Sequence, residues 1–221
     1  MNSPPIFTVK LLQVPSLSVN GQTQMLRSKK GEALLYYLVL EKKASRDKLA
    51  ALIWENDSAE SARRHLRDTI YLLRKQIGEV VVAADRYTLQ LNPEYHFQCD
   101  VEQLTQNQNI SVYQGEFLQD FHMPDSTEYE NWVELNREKF RSAYLSVLSE
   151  QIRRLSQAED LEKLEEYLRL YLQEAYLRTA DGTVPSAGRI RKRGRHLPAV
   201  TQNPFRRDGN FSLKKYCCPL L

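Results

Sequence analysis

Residues 45–78 read SRDKLAALIWENDSAESARRHLRDTIYLLRKQIG, and this stretch decides the fold. Ser45 and Ser58 each precede a run of helix-forming residues, the position at which serine caps a helix N-terminus. Gly78 is a typical helix stop. We therefore predict a short helix over 46–54, a polar turn and a longer helix that ends at about residue 77. The apolar residues of the longer helix recur at steps of three and four, on one helix face, and are Ala62, Leu66, Ile70, Leu73 and Ile77.

The residues on either side complete a winged helix-turn-helix. Residues 29–40 are rich in helix formers and predict a first helix. Residues 80–82 and 87–91 are strand-like runs joined by a short polar link, which predicts a hairpin, the wing. At the N-terminus, Asn20-Gly21 is a strong hairpin signal and predicts a small antiparallel sheet. Its strand-like runs are 7–12, 16–19 and 22–26.

Long helices follow in the second half of the chain. Residues 100–104 predict a short helix or linker, and a break at 156–159 separates two amphipathic helices. Two such helices joined by a short turn form the unit of tetratricopeptide-like arrays. One hairpin cannot bury both of its faces, so we expect further helices or a partner. The apolar positions are Trp132, Leu135, Phe140, Tyr144, Leu145, Leu148 and Ile152 in the first helix, and Leu161, Leu164, Leu168 and Tyr171 in the second.

The order of these elements predicts an α+β winged helix-turn-helix with an N-terminal antiparallel sheet, followed by an all-α tetratricopeptide-like helical domain. We place the winged helix at 1–98, the helical domain at 99–177 and a basic tail at 178–221. Trp54 and Trp132 are expected to be mostly buried, because a large aromatic at helical spacing usually belongs to a core.

Charge is distributed unevenly along the chain. Residues 1–76 hold 13 Lys and Arg against 7 Asp and Glu, whereas residues 77–177 hold 8 against 19. Residues 178–221 hold 10 against 2. A basic module beside an acidic one indicates a polyanionic partner for the first module and a different partner for the second.

The face of the longer helix opposite its apolar residues is basic, which is typical of a surface that binds double-stranded DNA. Phosphates attract such a face, and arginine can pair bidentately with guanine in the major groove. Residues of the first helices are expected to contact flanking phosphates, and Arg86 lies at the predicted wing tip. The candidate DNA-binding residues are Arg63, Arg64, Arg67, Tyr71, Arg74 and Lys75 on this helix, with Lys29, Lys30, Arg46, Lys48 and Arg86 around it.

Several other classes of function lack a signal in the sequence. No apolar run has the length of a membrane helix, and the first residues do not resemble a signal peptide, so we expect a cytoplasmic protein with no membrane contact. Cys99, Cys217 and Cys218 lack metal-ligand spacing. Phosphate loops and nucleophile motifs are missing as well, so we expect no catalytic residue, metal or cofactor, and no enzyme.

Three blocks resemble a known family of bacterial regulators. They are EALLYYL at 32–38, ASRDKLAALIW at 44–54 and the stretch from SARRHLR to LLRKQIG at 61–78. In this order they resemble the antibiotic-regulatory-protein (SARP) type of activator, which joins an OmpR/PhoB-like winged helix to a bacterial transcriptional activator domain. Residues 113–118, followed by Trp132 and residues 137–140, resemble the start of that second domain. The resemblance implies binding to repeated promoter sites, a homodimer and recruitment of RNA polymerase.

A second interpretation is a protein-interaction adaptor, in which the winged helix binds a protein instead of DNA. Fold does not fix function, and winged helices serve in both ways. Salt-dependent binding to random duplex DNA distinguishes the two interpretations, because only the DNA binder should show it.

The tail departs from the helical pattern. After residue 178, Gly, Pro and basic residues replace helical periodicity. One interpretation is a basic nucleic-acid-binding tail. The other is a one-nucleotide frameshift at the codon of Thr179, since the shifted frame can encode QLMALYQAQG, a tetratricopeptide-like helix start. We expect in that case that the helical domain lacks its final hairpins.

Overall fold

The computed structural model describes residues 4–158 and 160–180, and side chains up to residue 176. It contains the predicted winged helix followed by two long helices. The strands are β1 (Ile6–Lys10), β2 (Ser16–Val19), β3 (Gln22–Gln24), β4 (Lys43–Ser45), β5 (Val81–Ala83), β6 (Thr88–Leu91) and β7 (His96–Cys99). The helices are α1 (Lys29–Glu41), α2 (Arg46–Ile53), α3 (Ala59–Ile77), α4 (Asp100–Thr105), α5 (Thr127–Ala158) and α6 (Leu161–Ala180), with a 3-10 turn at Ile110–Val112.

The N-terminal sheet has the strand order β3-β2-β1-β7. The predicted antiparallel strands β1 to β3 are confirmed, and the β2–β3 turn places Asn20 at φ 51° and Gly21 at φ 81°. Both values lie in the left-handed region that this tight hairpin requires. The fourth strand, β7, pairs parallel with β1 and was not predicted.

Asp100, directly after β7, fixes this parallel pair. Its carboxylate accepts hydrogen bonds from the backbone N–H groups of Leu11 at 2.8 Å and Leu12 at 2.9 Å. A third bond, at 2.9 Å, comes from the N–H of Val101. The carboxylate therefore joins the end of β1 to the start of α4 in a buried position.

The helix-turn-helix has the predicted caps. Ser45 Oγ accepts a hydrogen bond from Lys48 N at 3.1 Å, and Ser58 Oγ accepts one from Ser61 N at 3.3 Å. Gly78 ends α3 with φ 82°. The predicted apolar face of α3 is buried except for a partly buried Ile77.

The wing belongs to a second sheet with the order β4-β6-β5. β5 and β6 form the predicted hairpin. β4, which was not predicted, pairs with β6 and leads directly into α2. The start of α2 is thereby attached to the wing.

The predicted face of α5 is confirmed at Phe140, Tyr144 and Leu148, which are buried, but the prediction is wrong at Leu135. Leu135 is 74% exposed, whereas Val133 and Asn136 are buried, because the core side of α5 follows positions 129, 133, 136, 140, 144 and 148. Along α6, no residue up to Tyr176 is fully buried, and Leu172 is 63% exposed. The two-helix hairpin thus leaves part of α6 uncovered, as expected from one hairpin alone.

The first turns of α5 pack on α1 of the winged helix. Trp132 lies 4.9 Å from Tyr37 between ring centroids, and its Nε1 donates a hydrogen bond to Glu41 Oε1 at 2.9 Å. Trp132 is partly buried and Trp54 only 5% exposed. Trp132 therefore connects the two parts of the chain as well as packing within the helical part.

Within the described residues, no helix combines the length and the apolar character needed to cross a membrane. α6 runs to Ala180, so most of the predicted tail, from residue 181 onward, lies outside the described part, and its frameshift origin stays a prediction.

Candidate nucleic-acid interface

The outermost row of α3 consists of Arg64, Asp68, Tyr71 and Lys75. Successive residues of a helix are rotated by about 100° around its axis. A residue therefore points away from the core when the residues two positions before it and two positions after it are both buried. Each of these four residues meets that condition, since the positions two before and two after are buried or partly buried. All four are exposed, and Tyr71 is 64% exposed. Arg67, also exposed, lies beside this row.

Arg63 lies at the edge of this surface and pairs with α2. Its Nε is 2.7 Å from Asp47 Oδ1, although both side chains are more than half exposed. The hydrogen bond from Arg63 lowers the pKa of the Asp47 carboxyl, and the same bond raises the pKa of Arg63. Arg63 therefore forms an ion pair within the protein, whereas its position in the sequence suggested a side chain directed at DNA.

Arg74 connects α3 to the base of the wing. Its Nη2 donates a hydrogen bond to the carbonyl oxygen of Val81 at 3.2 Å, and its Nε lies 2.9 Å from Glu79 Oε2. The wing is thus held at a fixed position relative to the C-terminal half of α3.

The turn of the wing is organised by Asp85. Its Oδ1 accepts hydrogen bonds from the N–H groups of Tyr87 at 2.7 Å and Thr88 at 2.9 Å, and the bond from Tyr87 lowers the pKa of the carboxyl. Arg86 lies at the tip, with its guanidinium 5.4 Å from the Tyr87 ring centroid. Arg46 N donates to Tyr87 O at 2.8 Å, which places the first residue of α2 beside the wing.

Three of the predicted phosphate-contacting lysines lie over aromatic rings. Lys29 is 5.5 Å from the ring centroid of Phe121, and Lys30 is 5.4 Å from that of Trp54. Lys48 is 5.6 Å from Tyr37, and a hydrogen bond with that phenol raises the pKa of Lys48. These ammonium groups are engaged with residues around the junction of α1, α2 and the helical part.

The turn between α2 and α3 is held by the start of α5. Asn56 Nδ2 donates a hydrogen bond to the carbonyl oxygen of Asp125 at 3.0 Å, and Glu128 N donates to Glu55 Oε2 at 3.2 Å. The Ser126 hydroxyl donates to the carbonyl oxygen of Leu52 and accepts from Tyr129 N at 3.2 Å. The helical part thus fixes the turn that sets the angle between α2 and α3.

Sequence reasoning found the basic residues of the α3 surface but missed its acidic member, Asp68. The alternation of buried and exposed positions that identifies Arg64 also identifies Asp68, four residues later. The pairing of Arg63 with Asp47 gave no local signal, because the two residues are separated by 16 positions.

The described residues show little sign of a metal or small-molecule site. Those residues contain no group of three His, Cys, Asp or Glu side chains able to hold a metal ion. A cavity of about 160 Å³ lies in the helical part, away in sequence from α3 and the wing. It is lined by Tyr113, Gln114, Gly115, Tyr144, Leu170, Gln173 and Glu174.

Comparison with solved structures shows a likeness in fold. No protein-family model and no curated protein sequence matches the chain. Among solved structures, it is similar to Mycobacterium tuberculosis EmbR in complex with a low-affinity phosphopeptide, with a TM-score of 0.51 and 18% identity. The likeness covers 80% of this chain and 56% of that chain, so it spans little more than half of the EmbR chain. At this identity the likeness shows the fold alone, a winged helix followed by a helical region.

Proposed function

We propose that this chain is a sequence-specific DNA-binding transcription regulator of the SARP type, acting as an activator. The observation that carries the proposal is the exposed outer row of α3 with Arg67 beside it, on the helix that a winged-helix protein inserts into DNA. Three cations, Arg64, Arg67 and Lys75, are exposed on this surface. Such a concentration of positive charge matches the dense phosphates of a duplex.

In this proposal α3 enters the major groove, which is wide enough for a helix. Arg64 and Arg67, in the N-terminal half of α3, read base edges, since arginine pairs bidentately with guanine O6 and N7. Tyr71 and Lys75 lie further along the row and contact the backbone. Arg86 at the wing tip reaches the neighbouring phosphates.

The helical part orients α3 in this proposal. At the start of α5, Asp125 accepts a hydrogen bond from Asn56 of the α2–α3 turn, and Ser126 donates one to Leu52 in α2. The recognition helix therefore does not depend on the small winged helix alone for its position. By the family resemblance, we further propose that the helical part contacts RNA polymerase and that the chain acts as a homodimer.

The test is a titration of the full chain against random-sequence duplex DNA at several salt concentrations. We expect the logarithm of affinity to fall with the logarithm of salt concentration, with a slope of about −0.9 per phosphate contacted. A triple variant, Arg63→Ala, Arg64→Ala and Arg67→Ala, should lose most of this binding. The matched control removes the same charge from α5 and α6 by Arg153→Ala, Arg154→Ala and Arg169→Ala, and should keep it.

Two outcomes contradict the proposal. If the unaltered chain ignores duplex DNA at low salt, the adaptor interpretation is favoured instead. If both triple variants lose affinity equally, the binding reflects total charge and α3 is not the DNA-binding surface.

A further inference from the structure

Asp68 is the acidic residue in the outer row of α3. It follows Leu66 by two positions and precedes Ile70 by two, and both of these are buried. At about 100° per residue, Asp68 therefore lies roughly opposite the core. Arg64 lies one turn before it on the same side.

The other acidic residues around α3 have local reasons for their positions. Asp47 pairs with Arg63, Asp57 contacts His65 Nδ1 at 2.7 Å, and Glu79 pairs with Arg74. Glu60 lies in the first turn of α3, where the helix dipole favours a negative charge. Among the side chains that the structure describes, in residues 4–158 and 160–176, that of Asp68 makes neither an ion pair nor a hydrogen bond.

A carboxylate on a DNA-binding surface opposes binding unless the DNA supplies a hydrogen-bond donor. It is repelled by phosphates and by acceptor atoms of the bases, so a mismatched base leaves it without a partner in the groove. In the major groove, cytosine presents the N4 amino donor, and aspartate accepts from it. Guanine presents two acceptors in the major groove, and thymine presents the acceptor O4. Adenine has an amino donor, but its N7 acceptor lies next to that donor.

We infer that Asp68 is a specificity-determining residue that selects a cytosine in the major groove of the target site. This inference rests on the proposed DNA-binding function and names one base that the site must contain. Asp68 acts mainly by excluding other bases, while Arg64 and Arg67 supply attraction. A binding surface that combines attraction with exclusion discriminates better than attraction alone.

The test selects preferred sites from a randomised duplex DNA library with the full chain and with Asp68→Asn. The unaltered chain should enrich a motif with one strongly preferred cytosine. In Asp68→Asn this preference should fall roughly fivefold or more, with the rest of the motif retained. Affinity for random duplex should rise, because a repulsive charge is lost.

Two variants keep this result interpretable. Glu94→Gln removes one exposed negative charge between β6 and β7, off the outer row of α3, and should raise affinity slightly with an unchanged motif. Asp68→Glu keeps a carboxylate acceptor and should keep the cytosine preference. The melting temperature of each variant is measured to confirm folding.

The outcomes separate this inference from the proposed function. If Asp68→Asn selects the same motif at every position, or if Glu94→Gln loses the cytosine as well, the role of Asp68 is refuted while DNA binding stands. If the unaltered chain enriches no motif, the proposed sequence-specific function itself fails.

Discussion

The phenol of Tyr129, in α5, donates a hydrogen bond to the carbonyl oxygen of Ala33, in α1, at 3.2 Å. Tyr129 is fully buried, and its ring packs 5.2 Å from Trp132 and 6.2 Å from Phe121. This contact lies in the core shared by the winged helix and the helical part. Loss of packing at Tyr129 should therefore destabilise both parts together.

The first prediction concerns alkaline pH. Burial raises the pKa of Tyr129 well above its usual value, and it raises the pKa of Tyr144 to about 12. In the unfolded chain tyrosines ionise at about pH 10, so the unfolded state releases protons that the folded state keeps. The free energy of unfolding should fall as pH rises above about 10.

Urea denaturation at about pH 7 and about pH 11 tests this, with Tyr129→Phe as the comparison. Tyr129→Phe should cost about 1 kcal/mol at neutral pH, from one lost hydrogen bond. Between the two pH values, the free energy of unfolding of Tyr129→Phe should fall by less than that of the unaltered chain. Equal losses in both proteins would show that Tyr129 does not carry the effect.

The second prediction concerns Asp100. Asp100→Asn replaces one carboxylate oxygen by an NH₂ group, which cannot accept a hydrogen bond. Oδ2 accepts from the N–H groups of Leu11 and Leu12 and Oδ1 from those of Leu11 and Val101, so the amide loses accepted bonds in either orientation. We expect a loss of about 1–3 kcal/mol in the free energy of unfolding. Glu102→Gln, two residues away, alters an exposed ion pair with Lys42 and should change stability by less than about 1 kcal/mol. Equal effects of the two variants would contradict the structural role of Asp100.

The features that could be predicted from the sequence are local ones. Ser45, Ser58 and Gly78 act within a few residues, so their capping roles follow from the order of residues alone. β7 is different, because its parallel partner β1 lies about 90 positions earlier and Asp100 completes the pair. The short stretch 96–99 gave no sign of that partner.

The face of α5 shows the same limit. Periodicity from Trp132 placed Leu135 inside, but α5 contacts both α1 and α6, and its buried row runs through Val133 instead. For the candidate site, the basic residues of α3 could be predicted. The contacts of Lys48 with Tyr37 and of Arg63 with Asp47 could not, since they depend on how helices pack.

The third prediction separates binding from folding on α3. Arg67→Ala should weaken specific DNA binding by about 1–3 kcal/mol if Arg67 reads a base. Its stability should change by no more than about 0.5 kcal/mol, because Arg67 is exposed. Leu66→Ala, at the neighbouring buried position, should cost about 2–5 kcal/mol of stability. Thermal unfolding measures the stability of both variants, and DNA titration measures their affinity. A large loss of stability in Arg67→Ala would contradict the exposed position of Arg67.

The last prediction concerns the ion pair between Arg63 and Asp47. The Arg63 guanidinium lies 2.7 Å from the Asp47 carboxylate, so Asp47 competes with a DNA phosphate for it. Asp47→Asn should release it, and the salt dependence of DNA binding should become steeper by about 0.9, equivalent to one more phosphate contact. Glu165→Gln breaks an equally exposed arginine pair, with Arg169 on α6, and should leave the slope unchanged. The double variant Asp47→Asn with Arg63→Ala should return the slope to its original value or below. A slope that stays constant in Asp47→Asn would mean that Arg63 does not reach the phosphates and serves only to join α3 to α2.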